Sequence, residues 1–476
     1  MLFNSIHFVF FFIVVTTIYF ALAHKFRWIW LLAASCYFYM AFIPIYILIL
    51  GGTIVIDYFA GIWIENAQGK KRKAFLILSL IANIGVLAVF KYYNFFIDNI
   101  NSIINPIGLE NKLPYLAIIL PIGLSFHTFQ AMSYTIEVYR GNQKAERHFG
   151  IYALYVMFYP QLVAGPIERP QNLLHQFYEK HEFDYSRIVE GLKLILMGLF
   201  MKLVVADRLA LYVDAVYNNP SHHEGKTFAL ATLFFTIQIY CDFAGYSNIA
   251  IGAAKVMGFK LMTNFNRPYF STSISEFWSR WHISLSTWFK DYVYISLGGN
   301  KVSIPKWYFN LFIVFLLSGF WHGANWTFIA WGALNGFYLI FALATKSVRE
   351  KTNSLIGLNS NKLFSQIIKT GITFVLIGIS WVFFRANTIE DALLILKKMF
   401  QFNGSLFYEN PSGLIYSFFG LLFLFVVEFK TEFLPHTLSL FQNQSWLVRN
   451  LSYASLVILI LLFGVFDGGQ FIYFQF

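Results

Sequence analysis

Charged residues are unusually rare in this sequence. Asp, Glu, Lys and Arg make up 12% of its 476 residues, whereas soluble domains carry roughly 25%. So few charged side chains cannot cover a water-facing surface, which excludes an ordinary soluble enzyme of two or three domains. With 58% apolar residues, the sequence predicts an all-α polytopic membrane protein in which residues 1–476 form one transmembrane domain.

Cysteine is also scarce. The two cysteines, Cys36 and Cys241, both lie in apolar segments, which excludes a disulfide framework and a Cys-rich metal site. The sequence has no H-E-x-x-H pair and no G-x-S-x-G elbow, which argues against zinc and serine hydrolases. The adjacent pair His222-His223 lies in a polar loop, and we assign no metal to it.

Basic residues exceed acidic ones, giving a net charge of +11. We attribute this excess to the cytoplasmic face of a membrane protein and expect no nucleic-acid partner. Basic loops at residues 24–27 and 70–73 follow the first and third predicted spans, whereas the turn near Pro44 has none. Because successive spans cross the membrane in opposite directions, cytoplasmic basic loops after the first and third spans place the N-terminus outside. Since Met1 is followed by no cleavage signal, we expect the first span to be retained.

Apolar runs long enough to cross a bilayer recur from end to end. Two of them carry internal Pro and Gly, which are tolerated at membrane depth only when buried in protein or facing a water-filled cavity. We therefore expect about 11–13 membrane helices, some of them broken or re-entrant. The predicted spans are 6–23, 28–43, 45–64, 74–91, 114–137, 150–166, 188–214, 228–254, 307–321, 326–345, 367–384, 412–428 and 449–467.

A polar stretch interrupts the apolar pattern at residues 276–331. Residues 273–291 have the spacing of an amphipathic, non-spanning helix. One face carries His282, which is either an interfacial residue bonded to a neighbour or part of a site. Arg280 and Ser284 lie on the other face and are candidate substrate contacts.

His322 ends an apolar run and lies between Gly319 and Gly323, which allow close packing of a neighbouring helix. An ionisable group near membrane depth is a functional-site hypothesis, with a buried structural histidine as the alternative. An imidazole titrates near neutrality, as a general base requires. Indole and amide groups nearby are candidate donors to an oxyanion: Trp321, Asn325 and Trp326.

Two further polar clusters interrupt apolar runs. Asp242, in YCDFAGYSN at 240–248, can orient a histidine, pair with Lys202 or Arg208, or pack between helices. Gln161 lies in a Pro- and Gly-broken segment that suits the wall of a cavity.

The chain resembles the membrane-bound O-acyltransferase (MBOAT) superfamily, in its bacterial branch of alginate O-acetyltransferase membrane subunits. The likeness covers nearly the whole chain and also extends to the D-alanyl transfer proteins of teichoic acid modification. It is carried by LPIGLSFHTFQ at 120–130, SYTIEVYRG at 133–141, FYPQLVAGPI at 158–167, YCDF at 240–243, EFWSRWHISLS at 276–286, SGFWHGANW at 318–326 and WVFFRA at 381–386.

The resemblance implies that His322 is the principal active-site histidine and His282 the second. It also implies a central funnel, where a cytosolic acyl thioester, acetyl-CoA by analogy, meets an acceptor from the other side. The acetyl group then goes to a polysaccharide, often through a separate extracytoplasmic SGNH-type transferase. No metal or prosthetic group is expected. We expect the protein in the bacterial inner membrane among its lipids.

Four positions depart from the family pattern, where Tyr, Ser, Asp and His are frequent, and they leave the acceptor polymer open. This chain has His127, Ala244, Asn248 and Asn335. D-alanyl transfer to a cell-wall polymer remains an alternative activity. A polysaccharide or lipid transporter is the alternative from another class, although no inverted repeat is recognisable.

Overall fold

The computed structural model describes residues 1–104, 113–118, 120–163, 165–355, 361–408, 411–434, 441, 445–466 and 471–472. All regular structure within these ranges is helical, so the predicted all-α class is confirmed. Parts of three predicted spans, at residues 119, 164 and 467, lie outside the described residues.

The α-helices follow one another with short connections, several of them single turns of 3₁₀- or π-helix. They are α1 (Ile6–Ala21), α2 (His24–Met40), α3 (Ile47–Asn66), α4 (Gly69–Leu87), α5 (Tyr93–Ile104), α6 (Leu124–Arg140), α7 (Phe149–Met157), α8 (Tyr159–Leu162), α9 (Pro170–Leu173), α10 (Tyr185–Leu199), α11 (Asp207–Tyr217), α12 (Gly225–Met257), α13 (Ile274–Arg280), α14 (Ile283–Phe289), α15 (Ile304–His322), α16 (Trp326–Ala344), α17 (Lys346–Leu355), α18 (Lys362–Arg385), α19 (Ile389–Gln401), α20 (Pro411–Phe433) and α21 (Trp446–Phe463).

Eight helical segments of the described chain are long and apolar enough to cross a membrane, which confirms the polytopic class. Other predicted spans are shorter or broken, and α1 has 16 residues. The Pro- and Gly-containing run at 150–166 is divided into α7 and α8, as predicted. The eight segments are Pro44–Asn66, Gly69–Ile104, Gly225–Met257, Ile304–His322, Trp326–Ala344, Lys362–Arg385, Pro411–Phe433 and Trp446–Phe463.

The chain divides into two units by its internal contacts. The first contains Met1–Ile195 and Tyr246–Met262, and the second contains Leu196–Gly245 and Thr263–Ile472. Helices α10 and α12 have residues in both. A single transmembrane domain remains a prediction.

The first unit contains a buried polar cluster among α3, α4 and α6. The Asp57 carboxylate accepts hydrogen bonds from Ser79 Oγ at 2.6 Å and from Asn83 Nδ2 at 2.9 Å. Ser79 also contacts Thr135 Oγ1 at 3.0 Å. Buried polar groups need such partners because no water reaches them.

The second unit brings α15 and α16 together through glycine, as the sequence predicted. A Cβ atom at Gly319 would meet the carbonyl oxygen of Phe328 and lie 3.1 Å from the Cα of Gly332. A Cβ atom at Gly323 would likewise meet the ring of Phe328. This close approach fixes the end of α15, where His322 lies.

We predict that Gly319→Ala destabilises the protein, since its methyl group has no space between the two backbones. Overpacking of this kind costs about 1–3 kcal/mol. Gly371→Ala in α18 is the matched control, because a Cβ there meets nothing within 4 Å. The measurement is thermal unfolding in detergent. Equal melting temperatures for Gly319→Ala and the wild type would contradict the close contact.

Candidate functional site

His282 lies at a break between two short helices in the second unit. Helix α13 ends at Arg280, Trp281 is extended, and α14 begins at Ile283. His282 itself has left-handed backbone angles, with φ 42° and ψ 56°. The prediction of one continuous amphipathic helix over 273–291 is therefore wrong. A tertiary partner of the backbone interrupts the predicted helix, and Ser284, expected on the polar face, is as deeply buried as Leu285 on the apolar face.

That partner is the segment around Asn264. The N–H of Ile283 donates to the Asn264 carbonyl at 2.8 Å, and the N–H of Asn266 donates to the Arg280 carbonyl at 2.9 Å. These two antiparallel bonds satisfy backbone groups that a continuous helix would have paired internally. The joint between α13 and α14 is thus held from outside both helices.

The side chain of Asn264 orients the imidazole. Its Oδ1 accepts from the N–H of Ser284 at 3.2 Å and from Ser284 Oγ at 2.9 Å, and it contacts His282 Nδ1 at 3.1 Å. A backbone N–H can only donate, which identifies the contacting Asn264 atom as oxygen. An oxygen acceptor requires His282 Nδ1 to carry the proton, so Nε2 holds the lone pair.

His282 stays neutral at physiological pH. Its side chain lies outside the eight spans, and burial lowers its pKa from 6.5 to about 3. Rings of Phe243 and Phe265 pack against it, with centroids at 4.5 Å and 6.1 Å. The apolar surroundings disfavour the imidazolium, so this ring suits hydrogen bonding better than proton uptake.

His322 occupies the last turn of α15 and is 4% exposed. Aromatic rings surround it: Trp321 at 4.9 Å, Trp331 at 5.1 Å and Phe384 at 5.3 Å between centroids. Trp331 and Phe384 meet its ring edge to face. Such packing locks the orientation of the imidazole.

Both histidines line one cavity of about 400 Å³. Its wall combines apolar side chains of α15 and α16 with hydroxyl groups, and Lys290 is the charged lining residue within the described chain. A cavity of this size that combines apolar walls with converging polar groups is typical of a small-molecule site. The lining residues are Ser275, Trp278, Ser279, Trp281, His282, Ile283, Leu285, Ser286, Thr287, Phe289, Lys290, Tyr294, Leu311, Val314, Phe315, Ser318, His322 and Leu339.

Several predicted contacts are not among these lining residues. Asn325 caps α16: its Oδ1 accepts from the N–H of Thr327 and its amide donates to the Asn387 carbonyl, both at 3.0 Å. Trp326 is 55% exposed. Trp321 is buried beside the histidine.

The other predicted residues hold the structure around the site or lie in the first unit. Ser284 bonds Asn264, as described above. Arg280 pairs with Glu276 and Glu432, both at 2.7 Å. Gln161, in the first unit, donates to the Tyr155 carbonyl at 2.6 Å.

Asp242 pairs with Lys202, the first of the two cationic partners considered for it. It pairs with Lys202 at 2.5 Å, and Lys202 also pairs with Asp207 at 2.7 Å. The N–H of Ile472 donates to the second Asp242 oxygen at 2.6 Å. Within the described residues, the bonding partners of Asp242 are thus Lys202 and Ile472 rather than a histidine, although the next residue, Phe243, packs on His282.

Sequence reasoning missed Asn264, Ser318 and Lys290. Ser318 precedes His322 by one helical turn, a spacing visible in the sequence. Asn264 belongs to a mostly polar segment between two helices, TNFNR at 263–267. No local sequence pattern connects it to His282. Among the described residues, no three His, Cys, Asp or Glu side chains group as a metal site requires.

Comparisons with known proteins agree with the sequence motifs. Residues 146–381 match the model of MBOAT, the membrane-bound O-acyltransferase family. A probable alginate O-acetylase, AlgI of Pseudomonas aeruginosa, is 40% identical over 410 residues, which cover 84% of this chain and 75% of that protein. The peptidoglycan O-acetyltransferase of Helicobacter pylori is 38% identical, covering 79% and 74%. A teichoic acid D-alanyltransferase of Streptococcus thermophilus is 29% identical, covering 55% and 68%.

We predict that His282 makes the folded chain sensitive to acid. Because its folded pKa lies below the ordinary 6.5, its contribution to stability is present above pH 6.5 and is lost as pH falls toward 3. Between pH 7 and pH 5 the loss amounts to roughly 2 kcal/mol.

The measurement is thermal unfolding in one detergent from pH 8 to pH 5. His282→Phe, which cannot titrate, should lose less stability than the wild type over this interval. His222→Phe, which changes an exposed histidine, is the control and should follow the wild type. Parallel curves for the wild type and His282→Phe would contradict the buried neutral ring.

Proposed function

Because the chain belongs to the membrane-bound O-acyltransferase family, we propose that it moves an acetyl group from a cytosolic thioester to a hydroxyl of an extracytoplasmic polysaccharide. Its similarity to an alginate O-acetylase and a peptidoglycan O-acetyltransferase supports both the acetyl group and the polysaccharide acceptor. The observation that carries the proposal is that His282 and His322 line the same cavity.

In the proposed reaction His322 takes the proton of the acceptor hydroxyl. The hydroxyl oxygen then attacks the thioester carbon and forms a C–O bond. As the tetrahedral intermediate collapses, the C–S bond breaks and His322 returns the proton to the departing thiolate. The products are an acetyl ester and a free thiol.

His282 acts as a positioning group in this scheme. A ring with a pKa of about 3 is a poor proton acceptor near neutrality. Its lone pair on Nε2 can accept a hydrogen bond from the acceptor hydroxyl and so aim the oxygen lone pair at the thioester. This division of roles is why His322 is assigned as the base.

The developing oxyanion needs a donor, and we assign Ser318. Its hydroxyl lines the cavity one turn before His322, on the same face of α15. Of the three expected donors, Asn325 is engaged in capping α16, Trp326 is largely exposed, and Trp321 is buried but is not a lining residue of the cavity.

We assign acetyl-CoA as the donor, with another acyl thioester as the alternative. Lys290 lines the same cavity as His282, and the two residues flank opposite ends of α14. That separation suits a donor whose reacting thioester and phosphate lie at opposite ends of one arm. The amino group supplies a charge that favours the phosphate.

The remaining parts of the proposal follow the branch the chain resembles. The protein lies in the bacterial inner membrane with its N-terminus outside. An extracytoplasmic SGNH-type transferase or the polysaccharide itself receives the acetyl group. D-alanyl transfer has weaker support, because the D-alanyltransferase is only 29% identical over 55% of this chain. Membership of an acyltransferase family argues against the transporter alternative.

We predict that His322→Ala lowers acetyl transfer by about 10²–10⁴-fold, the usual contribution of a general base. The measurements are release of free CoA from acetyl-CoA by purified protein, and the ester content of the extracellular polysaccharide. His222→Ala is the matched control, since that histidine lies exposed in a loop. Normal acetylation by His322→Ala at equal membrane abundance would refute the assignment.

We predict that Lys290→Met raises the KM for acetyl-CoA about 2- to 10-fold with little change in kcat, as expected for one exposed charge contact. The KM for acetyl-pantetheine, which has no phosphate, should not change. Lys301→Met is the control, because Lys301 is exposed and is not a lining residue. An equal rise in KM for both donors would show that Lys290 does not read the phosphate.

A further inference from the structure

The joint that carries His282 holds two residues in an unfavourable backbone conformation. Arg267 and His282 have φ angles of 44° and 42°, and only one other non-glycine residue in the described chain has a positive φ. Left-handed angles are costly for residues with a Cβ and persist when surrounding contacts impose them.

Glu432, at the end of α20, binds both sides of this joint. Its Oε2 accepts from Arg267 Nε at 2.6 Å, and its Oε1 accepts from Arg280 Nη1 at 2.7 Å. Arg267 follows the Asn264–Asn266 segment, whereas Arg280 ends α13. One carboxylate thus connects the two backbone segments that the antiparallel hydrogen bonds pair.

A second carboxylate completes the arrangement. Arg280 Nη2 donates to Glu276 at 2.7 Å, and the other Glu276 oxygen accepts from the N–H and the hydroxyl of Thr272, both at 2.8 Å. The side chains of Arg280 and Glu432 are 21% and 15% exposed, so their charges are largely shielded from solvent. Ion pairs of this kind fix geometry better than fully exposed ones do.

We propose that Glu432 is a positioning residue for His282. By holding Arg267 and Arg280 together, it fixes the backbone joint from which the imidazole is presented to the cavity. Arg267, Arg280 and Glu432 are absent from the described lining of the cavity. Their effect on the reaction therefore passes through the orientation of His282. This inference rests on the proposed acetyl transfer.

The test compares Glu432→Gln, which loses the charge, with Glu432→Asp, which keeps it on a shorter side chain. Glu432→Gln should lower kcat about 10- to 100-fold, the range expected for a misplaced reacting group, and leave the KM for acetyl-CoA unchanged. Glu432→Asp should recover part of the loss. Glu390→Gln, on the exposed face of α19, is the matched control and should retain the wild-type kcat.

A double-mutant cycle identifies the route of the effect. If Glu432 acts through His282, Glu432→Gln should have little further effect in a His282→Ala background. Should that background retain no measurable activity, modification of His282 by diethylpyrocarbonate, followed by mass spectrometry in His322→Ala, replaces the rate. Glu432→Gln should then make His282 several-fold more reactive.

Two outcomes would overturn the positioning role: an equal fall in kcat with and without His282, or unchanged reactivity of His282 toward the reagent. Wild-type kcat in Glu432→Gln would overturn it as well. These results differ from failure of the proposed function, in which His322→Ala itself would retain acetyl transfer.

Discussion

The hydrogen bond between Asn264 and His282 is the contact on which the candidate site depends. It fixes the tautomer of a buried ring, and it belongs to the same short segment that pairs with the broken backbone between α13 and α14. A break in a helix leaves N–H and C=O groups that a chain with little access to water must pair internally. The segment around Asn264 pairs these backbone groups and also fixes the tautomer of His282, so the geometry of the break and the chemistry of the ring are inseparable.

The eight membrane-length helical segments of the described chain could be predicted from the sequence because their signal is local. A bilayer requires about 20 consecutive apolar residues, and proline and glycine mark where a run breaks. Helices α7 and α8 illustrate the second rule, since they divide the run that contains Pro160. The close contact of α15 and α16 could be predicted in the same way, because the spacing of Gly319 and Gly323 is visible in the sequence without knowledge of the partner helix.

The arrangement of polar groups within the site could not be read in the same way. Periodicity over 273–291 predicts one helix, whereas the backbone on either side of His282 pairs with a separate segment, at Asn264 and Asn266. Asn325 has the chemistry of an oxyanion donor, yet its position directly before α16 makes it a helix cap. Residue type limits what a side chain can do, whereas its tertiary partners decide what it does.

The low charge of the chain makes its buried ion pairs informative. Such pairs contribute little net stability, because desolvation offsets much of the attraction, but they can specify one arrangement over others. Lys202 and Asp242 form such a pair. Asp242 directly precedes Phe243, whose ring packs on His282. Glu432 joins two arginines on the joint that carries the same ring. The two ion-pair clusters thus adjoin residues that hold one neutral imidazole, where orientation matters more than stability.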